Sequence, residues 1–330
     1  MSRIAILGAG AWGTALAVTL ARSGREVTLA IRRRERLEAI RAAAENAAYL
    51  PGVAIPPNLA LTDNWRAAAN GAATLVMAIP SRMARDAFAP VVSAIAPEAT
   101  IVSVTKGVEP ETLLTMTRMI AELAPPARRV AALSGPGFAA EVARGKPAAL
   151  VAAAADPEVA RRVQGIFATP TLRIYRSADV IGVEMGGVIK NVIAIAAGIS
   201  DGLDLGSSAR AALITRGLAE MSRLAAAAGG RAETMAGLAG LGDLVLTCTG
   251  ALSRNRALGL RLAAGAPWSE TGDDGQVAEG AVNARAVRAL AARHNVETPI
   301  VAAVCRVLYE AAPATAMVEE LLSRELKVEF

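Results

Sequence analysis

Lys190 is the side chain in this sequence best suited to acid–base chemistry, because it lies in a largely apolar helical stretch, residues 188–199. Gly186 and Gly187 lie one turn before it, and each costs a helix about 1 kcal/mol relative to alanine. Close approach of a ligand or of another segment would offset that cost. Partial burial and a second cation would favour the neutral amine and allow proton exchange near neutral pH. The alternative is a lysine whose stem lies along apolar surface while its ammonium group stays in water.

Two further charged residues could assist Lys190. Lys106 follows a strand-like segment and could supply the second cation and bind substrate, or it could be a solvated loop lysine. Asp243 stands alone among the glycines and apolar residues of segment 237–248, so we expect a desolvated carboxylate paired with a group such as Lys190. It could also be the N-cap of the segment that follows, and the two roles are compatible.

The segment Ser253-Arg254-Asn255-Arg256 begins a predicted helix. A guanidinium group, a hydroxyl, an amide and a helix N-terminus together form an anion site, although the same four residues would also suit a solvated helix start. His294 is the only histidine and lies where a helix should end, so we expect it to interact with the helix dipole rather than to act in catalysis.

A dinucleotide fingerprint begins at Gly8, directly after the apolar segment 3–7. Gly8 permits a tight turn, Gly10 lets the backbone approach a pyrophosphate, and Gly13 lets the following helix pack on the strand. A helix over 14–23 and a second strand over 26–31 complete the context that the motif requires. The N-terminus of that helix would face the phosphates.

Three arginines, Arg32, Arg33 and Arg34, follow the second strand, where an NAD site usually carries an acidic residue. Guanidinium groups pair with a 2′-phosphate, whereas a carboxylate would repel it. We therefore expect NADP(H) to be preferred and NAD(H) to be possible. Three arginines in a solvated loop are the alternative, but their position after the fingerprint favours the nucleotide.

The order of predicted elements gives the fold class: an α/β chain with an N-terminal Rossmann-type, doubly wound, mostly parallel sheet, followed by an all-helical C-terminal domain. We place the NAD(P)-binding domain at 1–178 and the substrate and catalytic domain at 179–330. Further strands are predicted at 74–79, 100–105, 130–133 and 148–152, because buried parallel strands form continuous apolar runs. Helices are predicted at 180–199 (capped by Asp179), 209–228 (capped by Ser207 or Ser208 and ended by Gly229–Gly230), 231–236, 254–264, 280–294 and 299–310.

Amino-acid composition limits the classes of molecule that the protein could bind. The net charge of +5 comes from 35 basic and 30 acidic residues spread along 330 residues, which argues against nucleic-acid binding and suits a small anionic substrate. Cys248 and Cys305 have no metal or disulfide spacing, so we expect buried thiols and no metal. The early first strand leaves no room for a signal peptide, and the apolar stretch 188–199 is too short to span a bilayer. We therefore expect a cytoplasmic protein without stable membrane insertion.

Several longer motifs resemble the bacterial NAD(P)-dependent glycerol-3-phosphate dehydrogenases over residues 4–322. The matching segments are GAGAWGTALA at 8–17, TKG at 105–107, SGPGFAAE at 134–141, VIKNVIAIAAGISDGL at 188–203, ALITRGLAEMSRL at 212–224, GLAGLGDLVLTCT at 237–249, SRNR at 253–256 and QVAEG at 276–280. The resemblance implies reduction of dihydroxyacetone phosphate to sn-glycerol 3-phosphate for phospholipid synthesis, and a homodimer is plausible.

The resemblance also implies residue roles. Lys190 would be the proton donor or acceptor, and Lys106 would contact both substrate and cofactor. Substrate-binding positions would be Lys106, Gly135, Gly137, Lys190, Asp243, Ser253, Arg254 and Asn255. Nucleotide-binding positions would be Gly8, Gly10, Ala11, Trp12, Gly13, Arg32, Arg33, Lys106, Ala139, Arg254, Val277 and Glu279.

Two positions depart from the family pattern. Gly137 stands where threonine or serine is usual, which puts one substrate hydrogen bond in doubt, and Ala11 replaces a serine, which leaves only a backbone contact to phosphate. The alternatives are a 3-hydroxyacid dehydrogenase of the 6-phosphogluconate type and a non-catalytic NADP(H) sensor. The Arg254–Asn255 cluster and the Gly-Leu-Gly-Asp segment argue against the first, and a sensor would not need Lys190. A hydroxyacyl-CoA dehydrogenase would need a catalytic histidine, for which we see no suitable residue.

Overall fold

The computed structural model describes residues 3–124, 129–268, 278–325 and 328, and the chain divides into two compact units, Met1–Glu184 and Met185–Phe330. The first unit contains one eight-stranded sheet. Its strands are β1 Ile4–Leu7, β2 Val27–Ala30, β3 Leu59–Thr62, β4 Thr74–Met77, β5 Thr100–Ser103, β6 Arg129–Ser134, β7 Ala148–Ala153 and β8 Leu172–Ser177. The strand order is β3-β2-β1-β4-β5-β6-β7-β8, and only the β6–β7 pair is antiparallel.

Helices cover both faces of this sheet. They are α1 Ala11–Arg22, α2 Arg34–Ala43, α3 Trp65–Ala69, α4 Ala84–Phe88, α5 Met116–Leu123, α6 Ala139–Ala143 and α7 Pro157–Phe167. One apolar core contains Leu16 of α1 and Phe167 of α7, and the other contains Phe88 and Met119. Because the strand order reverses between β1 and β4, the carboxyl ends of these two strands form the switch point where such sheets bind ligands.

The predicted fold class is confirmed, but two strands, β3 and β8, were not predicted. β3 has one buried residue, Leu59, and β8 alternates buried Leu172 and Ile174 with exposed neighbours. Both lie at the edges of the sheet, where one side of the strand has no partner in the sheet. Edge strands therefore lack the continuous apolar run that identified the buried strands.

Helices make up the second unit. Following α8, Val180–Gly202, they are α9 Gly206–Ala227, α10 Ala232–Met235, α11 Asp243–Thr249, α12 Arg254–Ala263, α13 Glu279–Arg293, α14 Pro299–Tyr309 and α15 Ala314–Leu322. Asp179 caps α8 as predicted, with its Oδ1 atom accepting from the Gly182 amide at 2.9 Å. The predicted cap of the next helix is wrong, because α9 already begins at Gly206, before Ser207 and Ser208.

The length of α8 requires a second correction. The helix has 23 residues with a hydropathy of 1.7, so it is long and apolar enough to cross a membrane, unlike the shorter stretch 188–199. However, 89% of its most apolar window is buried inside the protein. Burial by the chain's own side chains, rather than insufficient length, identifies it as a core helix.

Candidate functional site

The glycine turn after β1 has the close contacts that its motif predicts. Gly8 has a φ of +112°, and a Cβ atom there would lie 2.3 Å from the Ala78 carbonyl oxygen. A Cβ atom on Gly13 would lie 2.1 Å from the Gly8 carbonyl oxygen. Gly10 is the N-cap of α1, and a Cβ atom there would have no neighbour within 4 Å. The turn therefore leaves open space at the helix N-terminus, where Ala11 is the first helical residue.

Trp12 lies beside this turn and explains the unusual Gly137. A Cβ atom on Gly137 would lie 3.3 Å from the Trp12 Cη2 atom, so the indole ring occupies the space that a larger side chain would need. The Trp12 Nε1–H group is buried and has no hydrogen-bond partner among the described residues. A buried donor of this kind is costly unless a ligand or water accepts from it. This orphan donor and the open space at Gly10 fit a bound dinucleotide.

Lys106 and Gly135 lie together at the carboxyl ends of β5 and β6. The Lys106 Nζ atom donates to the Gly135 carbonyl oxygen at 3.1 Å, so this half-buried lysine is more than a solvated loop residue. Gly135 has a φ of +136°, in a region that favours glycine, and a Cβ atom there would lie 3.1 Å from the Leu150 Cα atom. The strand ends therefore bring together two of the predicted substrate-binding positions.

An ion pair between Arg85 and the buried Glu109 anchors the loop that carries Lys106. Arg85 donates from Nε and Nη2 to the two carboxylate oxygens of Glu109 at 2.6 and 2.8 Å. The same guanidinium group donates to Glu122 at 2.8 Å, and the Thr112 hydroxyl donates to Glu109. These hydrogen bonds, led by that from Arg85, hold the pKa of the Glu109 carboxyl below its usual range. No local sequence pattern predicts this network.

The arginines after β2 differ in their contacts. Arg34 pairs with Glu38 on the surface of α2 at 3.2 Å, whereas Arg32 and Arg33 form no ion pair within the described parts of the chain. Arg32 lines a cleft at the carboxyl ends of β2 and β3 that also contains Trp65. The acidic residues Asp63 and Asp86 and the cation Arg66 line the same cleft. Ala139 is the first residue of α6.

In the second unit, Lys190 lies in a buried polar cluster with Asp243. Its Nζ atom donates to Asp243 Oδ1 at 2.7 Å and to Thr247 Oγ1 at 2.7 Å, and the Thr247 hydroxyl donates to the Asp243 carbonyl at 2.6 Å. Lys190 is 5% exposed and Asp243 is 1% exposed. The expected lysine–carboxylate pair is therefore present.

Gly186 explains how Asp243 reaches Lys190. A Cβ atom on Gly186 would lie 2.2 Å from the Ala239 carbonyl oxygen, so the backbone of segment 238–242 runs directly against α8. That segment forms one π-helical turn, and Asp243 begins α11 directly after it. The partner that offsets the cost of this helix glycine is another part of the backbone.

The first turn of α12 is fixed by side-chain hydrogen bonds. Ser253 is its N-cap, with Oγ accepting from the Arg256 amide at 3.2 Å. Asn255 donates to Asn191 Oδ1 at 2.9 Å and accepts from the Gly280 amide at 2.9 Å. Arg254 is exposed and has no hydrogen-bond or ion-pair partner among the described residues. Asn255 therefore also fixes the geometry of this turn.

The remaining predicted positions lie around these clusters. Glu279 is the first residue of α13, and Val277 lies outside the described residues. His294 ends α13, as expected. Both cysteines are buried and free, and burial raises the pKa of the Cys248 thiol to about 12. Within the described ranges, no three histidine, cysteine or acidic side chains are grouped as metal ligands.

Comparison with known proteins decides the family. A family model described as the N-terminus of NAD-dependent glycerol-3-phosphate dehydrogenase matches residues 3–160, and its C-terminal counterpart matches residues 179–319. The chain belongs to the NAD-dependent glycerol-3-phosphate dehydrogenase family. Proteins named glycerol-3-phosphate dehydrogenase (NAD(P)+) from Geobacter sulfurreducens and Thiobacillus denitrificans are both 49% identical to it. The alignments cover 99% of this chain in both cases, and 98% and 100% of the two relatives, respectively.

Solved structures agree with this membership of the glycerol-3-phosphate dehydrogenase family. The enzyme from Coxiella burnetii has a TM-score of 0.93 at 40% identity, covering 98% of this chain and 99% of the other. The Plasmodium falciparum enzyme has a TM-score of 0.87 at 22% identity, with coverage of 99% and 97%, which supports the fold alone.

Two residues near the predicted site, Thr247 and Asn191, were not predicted from the sequence. Thr247 lies one helical turn after Asp243, and Asn191 directly follows Lys190. Thr247 could have been predicted because residues four apart share a helix face, and Asn191 because it lies directly beside Lys190 in the sequence. The cluster can hold an ammonium group in one position and supply a proton to an oxygen placed beside it.

Proposed function

We propose that the protein reduces dihydroxyacetone phosphate to sn-glycerol 3-phosphate, with NADPH preferred over NADH, in the cytoplasm and as a step toward glycerophospholipids. The observation that carries this proposal is the buried pair of Lys190 and Asp243, at 2.7 Å, in a chain of this dehydrogenase family. A buried ammonium group held by a carboxylate is a positioned general acid.

Lys190 acts as that acid. It donates a proton to the oxygen of the substrate carbonyl as that carbon is reduced, and it accepts the proton in the reverse direction. Asp243 and Thr247 accept hydrogen bonds from the Lys190 Nζ atom and hold it in one position. The nicotinamide supplies the hydride when the cofactor is bound.

Residues from several elements bind the substrate. Ser253, Arg254 and Asn255 form the N-terminus of α12. Backbone amides there and the guanidinium group of Arg254, which has no partner among the described residues, favour a phosphate dianion. Lys106, Gly135 and Gly137 add one side-chain cation and backbone groups, and Gly137 contributes no hydroxyl.

The glycine turn holds the nucleotide. Gly8, Gly10 and Gly13 shape the turn at the N-terminus of α1. The other proposed contacts are Ala11, Trp12, Arg32, Arg33, Lys106, Ala139, Arg254, Val277 and Glu279. The lack of any ion pair for Arg32 and Arg33 within the described ranges supports a role toward the 2′-phosphate of NADPH.

We place nucleotide binding in residues 1–178 and proton transfer in residues 179–330, and we propose a homodimer. Sedimentation equilibrium tests the dimer.

Turnover assays test the reaction. NADPH oxidation is followed with dihydroxyacetone phosphate, with dihydroxyacetone as the substrate that lacks phosphate, and with NADH as the second cofactor. We expect kcat/KM to be highest for dihydroxyacetone phosphate with NADPH. Equal rates with and without the substrate phosphate would overturn the assignment, and absence of turnover together with tight NADPH binding would indicate a sensor.

A further inference from the structure

We infer that Asp201 is a positioning residue for the substrate phosphate. It binds Arg256, thereby holds the first turn of α12 against α8, and leaves Arg254 as the cation of that turn. This inference rests on the proposed function, because it concerns the phosphate site proposed there.

Asp201 uses both carboxylate oxygens in ion pairs. Arg256 donates from Nε to Oδ2 at 2.7 Å, and its Nη2 atom lies 2.6 Å from the same oxygen. Arg210 of α9 donates from Nη1 to Oδ1 at 2.9 Å. The side chain of Asp201 is 10% exposed and that of Arg256 is 21% exposed. Water screens a partly buried pair of this kind less than a surface pair, and removing one partner leaves the other charge without its counter-ion.

Backbone contact joins the same two helices. A Cβ atom on Gly198 would lie 2.1 Å from the Arg256 carbonyl oxygen, and one on Gly259 would lie 2.1 Å from the Ile195 carbonyl oxygen. Asn191 of α8 receives the hydrogen bond from Asn255 two helical turns earlier. The first turn of α12 is therefore fixed against α8, the helix that also carries Lys190, at three points along its length.

The two arginines of the motif consequently differ in function. The carboxylate of Asp201 engages the Nε and Nη2 atoms of Arg256, so these donors are not available to a bound anion. Arg254 is exposed and makes no ion pair within the described chain, so its charge is available. Arg256 thus holds α12 against α8, whereas Arg254, two positions earlier, is available to bind the phosphate.

The opposite assignment makes Arg256 the direct phosphate ligand and Asp201 its competitor. The two assignments predict opposite signs for Asp201→Asn. If Asp201 positions the turn, its loss weakens substrate binding. If Asp201 competes with the phosphate, its loss strengthens substrate binding.

The experiment compares Asp201→Asn, Arg256→Ala, the double variant and the matched control Arg210→Ala, which breaks the other ion pair of Asp201 without touching α12. We expect both single variants to raise the KM for dihydroxyacetone phosphate about tenfold, since small misplacement of binding groups has large kinetic effects. The double variant should be no worse than the singles, because both remove one interaction. kcat/KM for dihydroxyacetone should change less than about twofold. The KM for NADPH should change less than that for dihydroxyacetone phosphate, because Arg254 is one of several proposed nucleotide contacts. Arg210→Ala should change the KM for dihydroxyacetone phosphate less than about threefold.

Arg256→Lys provides the rescue test, because it keeps the charge but loses the guanidinium fork; its KM should lie between wild type and Arg256→Ala. A lower KM in Asp201→Asn would overturn the inference. Equal losses with both substrates and with NADPH, together with a lower melting temperature, would reduce the pair to a purely structural role and would also overturn it.

Calorimetric titration with inorganic phosphate separates this inference from the proposed function. Weaker phosphate binding in Asp201→Asn and Arg256→Ala, but not in Arg210→Ala, supports the positioning role even if wild type fails to reduce dihydroxyacetone phosphate. Equal phosphate binding in all of these proteins would reject the inference even if the dehydrogenase activity is present.

Discussion

The Lys106 region and the Lys190 region hold their lysines in different ways. Lys106 is half-buried at a strand end, where it donates to the backbone carbonyl of Gly135, a glycine with a φ of +136°. Lys190 is buried on a helix, where it donates to a carboxylate and a hydroxyl from another helix. Strand ends provide room and backbone groups for a large ligand, whereas packed helices fix individual charged atoms. The comparison predicts that substitutions in the helical region have the larger effects.

The largest effect should come from Lys190→Ala. General acid–base groups contribute roughly 10²–10⁴-fold, so we expect kcat to fall by that range while NADPH binding, measured by fluorescence titration, stays unchanged. Lys190→Ala leaves the buried Asp243 carboxylate without its counter-ion, which should lower thermal stability. The control is therefore Lys190→Met/Asp243→Leu, which should recover thermal stability without activity. Retention of more than about a tenth of wild-type turnover would contradict the assigned role.

A second buried acid tests the helical region through stability. Glu220 accepts from the Ile300 amide at 2.7 Å, and burial raises the pKa of its carboxyl to about 7. The folded protein therefore binds this proton more tightly than the unfolded chain does. The resulting stabilisation of the folded state is full below pH 4.5 and is lost as pH rises toward 7. Relative to Glu220→Gln, wild type should lose about 3 kcal/mol over that interval. Urea unfolding at several pH values measures the difference, and a constant difference would refute the expectation.

The double variant Arg32→Ala/Arg33→Ala tests nucleotide binding in the first unit. Loss of charge-assisted hydrogen bonds should raise the KM for NADPH by about ten- to a hundredfold and leave that for NADH nearly unchanged. Arg34→Ala is the matched control, because Arg34 already pairs with Glu38, and it should change either value less than twofold. Equal losses for both cofactors would indicate a structural role for Arg32 and Arg33.

The smallest effect is expected from Glu109→Gln, which weakens the anchor of the Lys106 loop. We expect kcat/KM for dihydroxyacetone phosphate to fall about tenfold through displacement of Lys106. Glu122→Gln should change it less than twofold, because the Glu122 side chain is 53% exposed and its ion pair is weak. If the two variants behave alike, the anchoring of Lys106 does not depend on the buried pair.

The amino-acid sequence predicted much of this arrangement, and the reasons differ between elements. Buried strands such as β4 and β5 were predicted because both of their faces are apolar. The pairing of Lys190 with Asp243 was predicted because each is a lone charge in an apolar context. Predicting β3 or β8 would require knowledge of the neighbouring strand in the sheet.

Other parts of the site could not be predicted from local pattern. Arg85 and Glu109 are 24 positions apart, and only tertiary packing brings them together. The same holds for Asp201 and Arg256, which are 55 positions apart. Gly186 was recognised as costly, but the identity of its neighbour, the Ala239 carbonyl, depended on the path of a distant turn.

The contact between Gly198 and Gly259 has a mechanical consequence. Where side chains mediate a helix crossing, rotamer changes can absorb small displacements, but two glycines in backbone contact provide no such compliance. We therefore expect α8 and α12 to move together as a rigid body at this crossing. The distance between Lys190 and the first turn of α12 is therefore set by helix packing when the protein folds, and not by ligand binding.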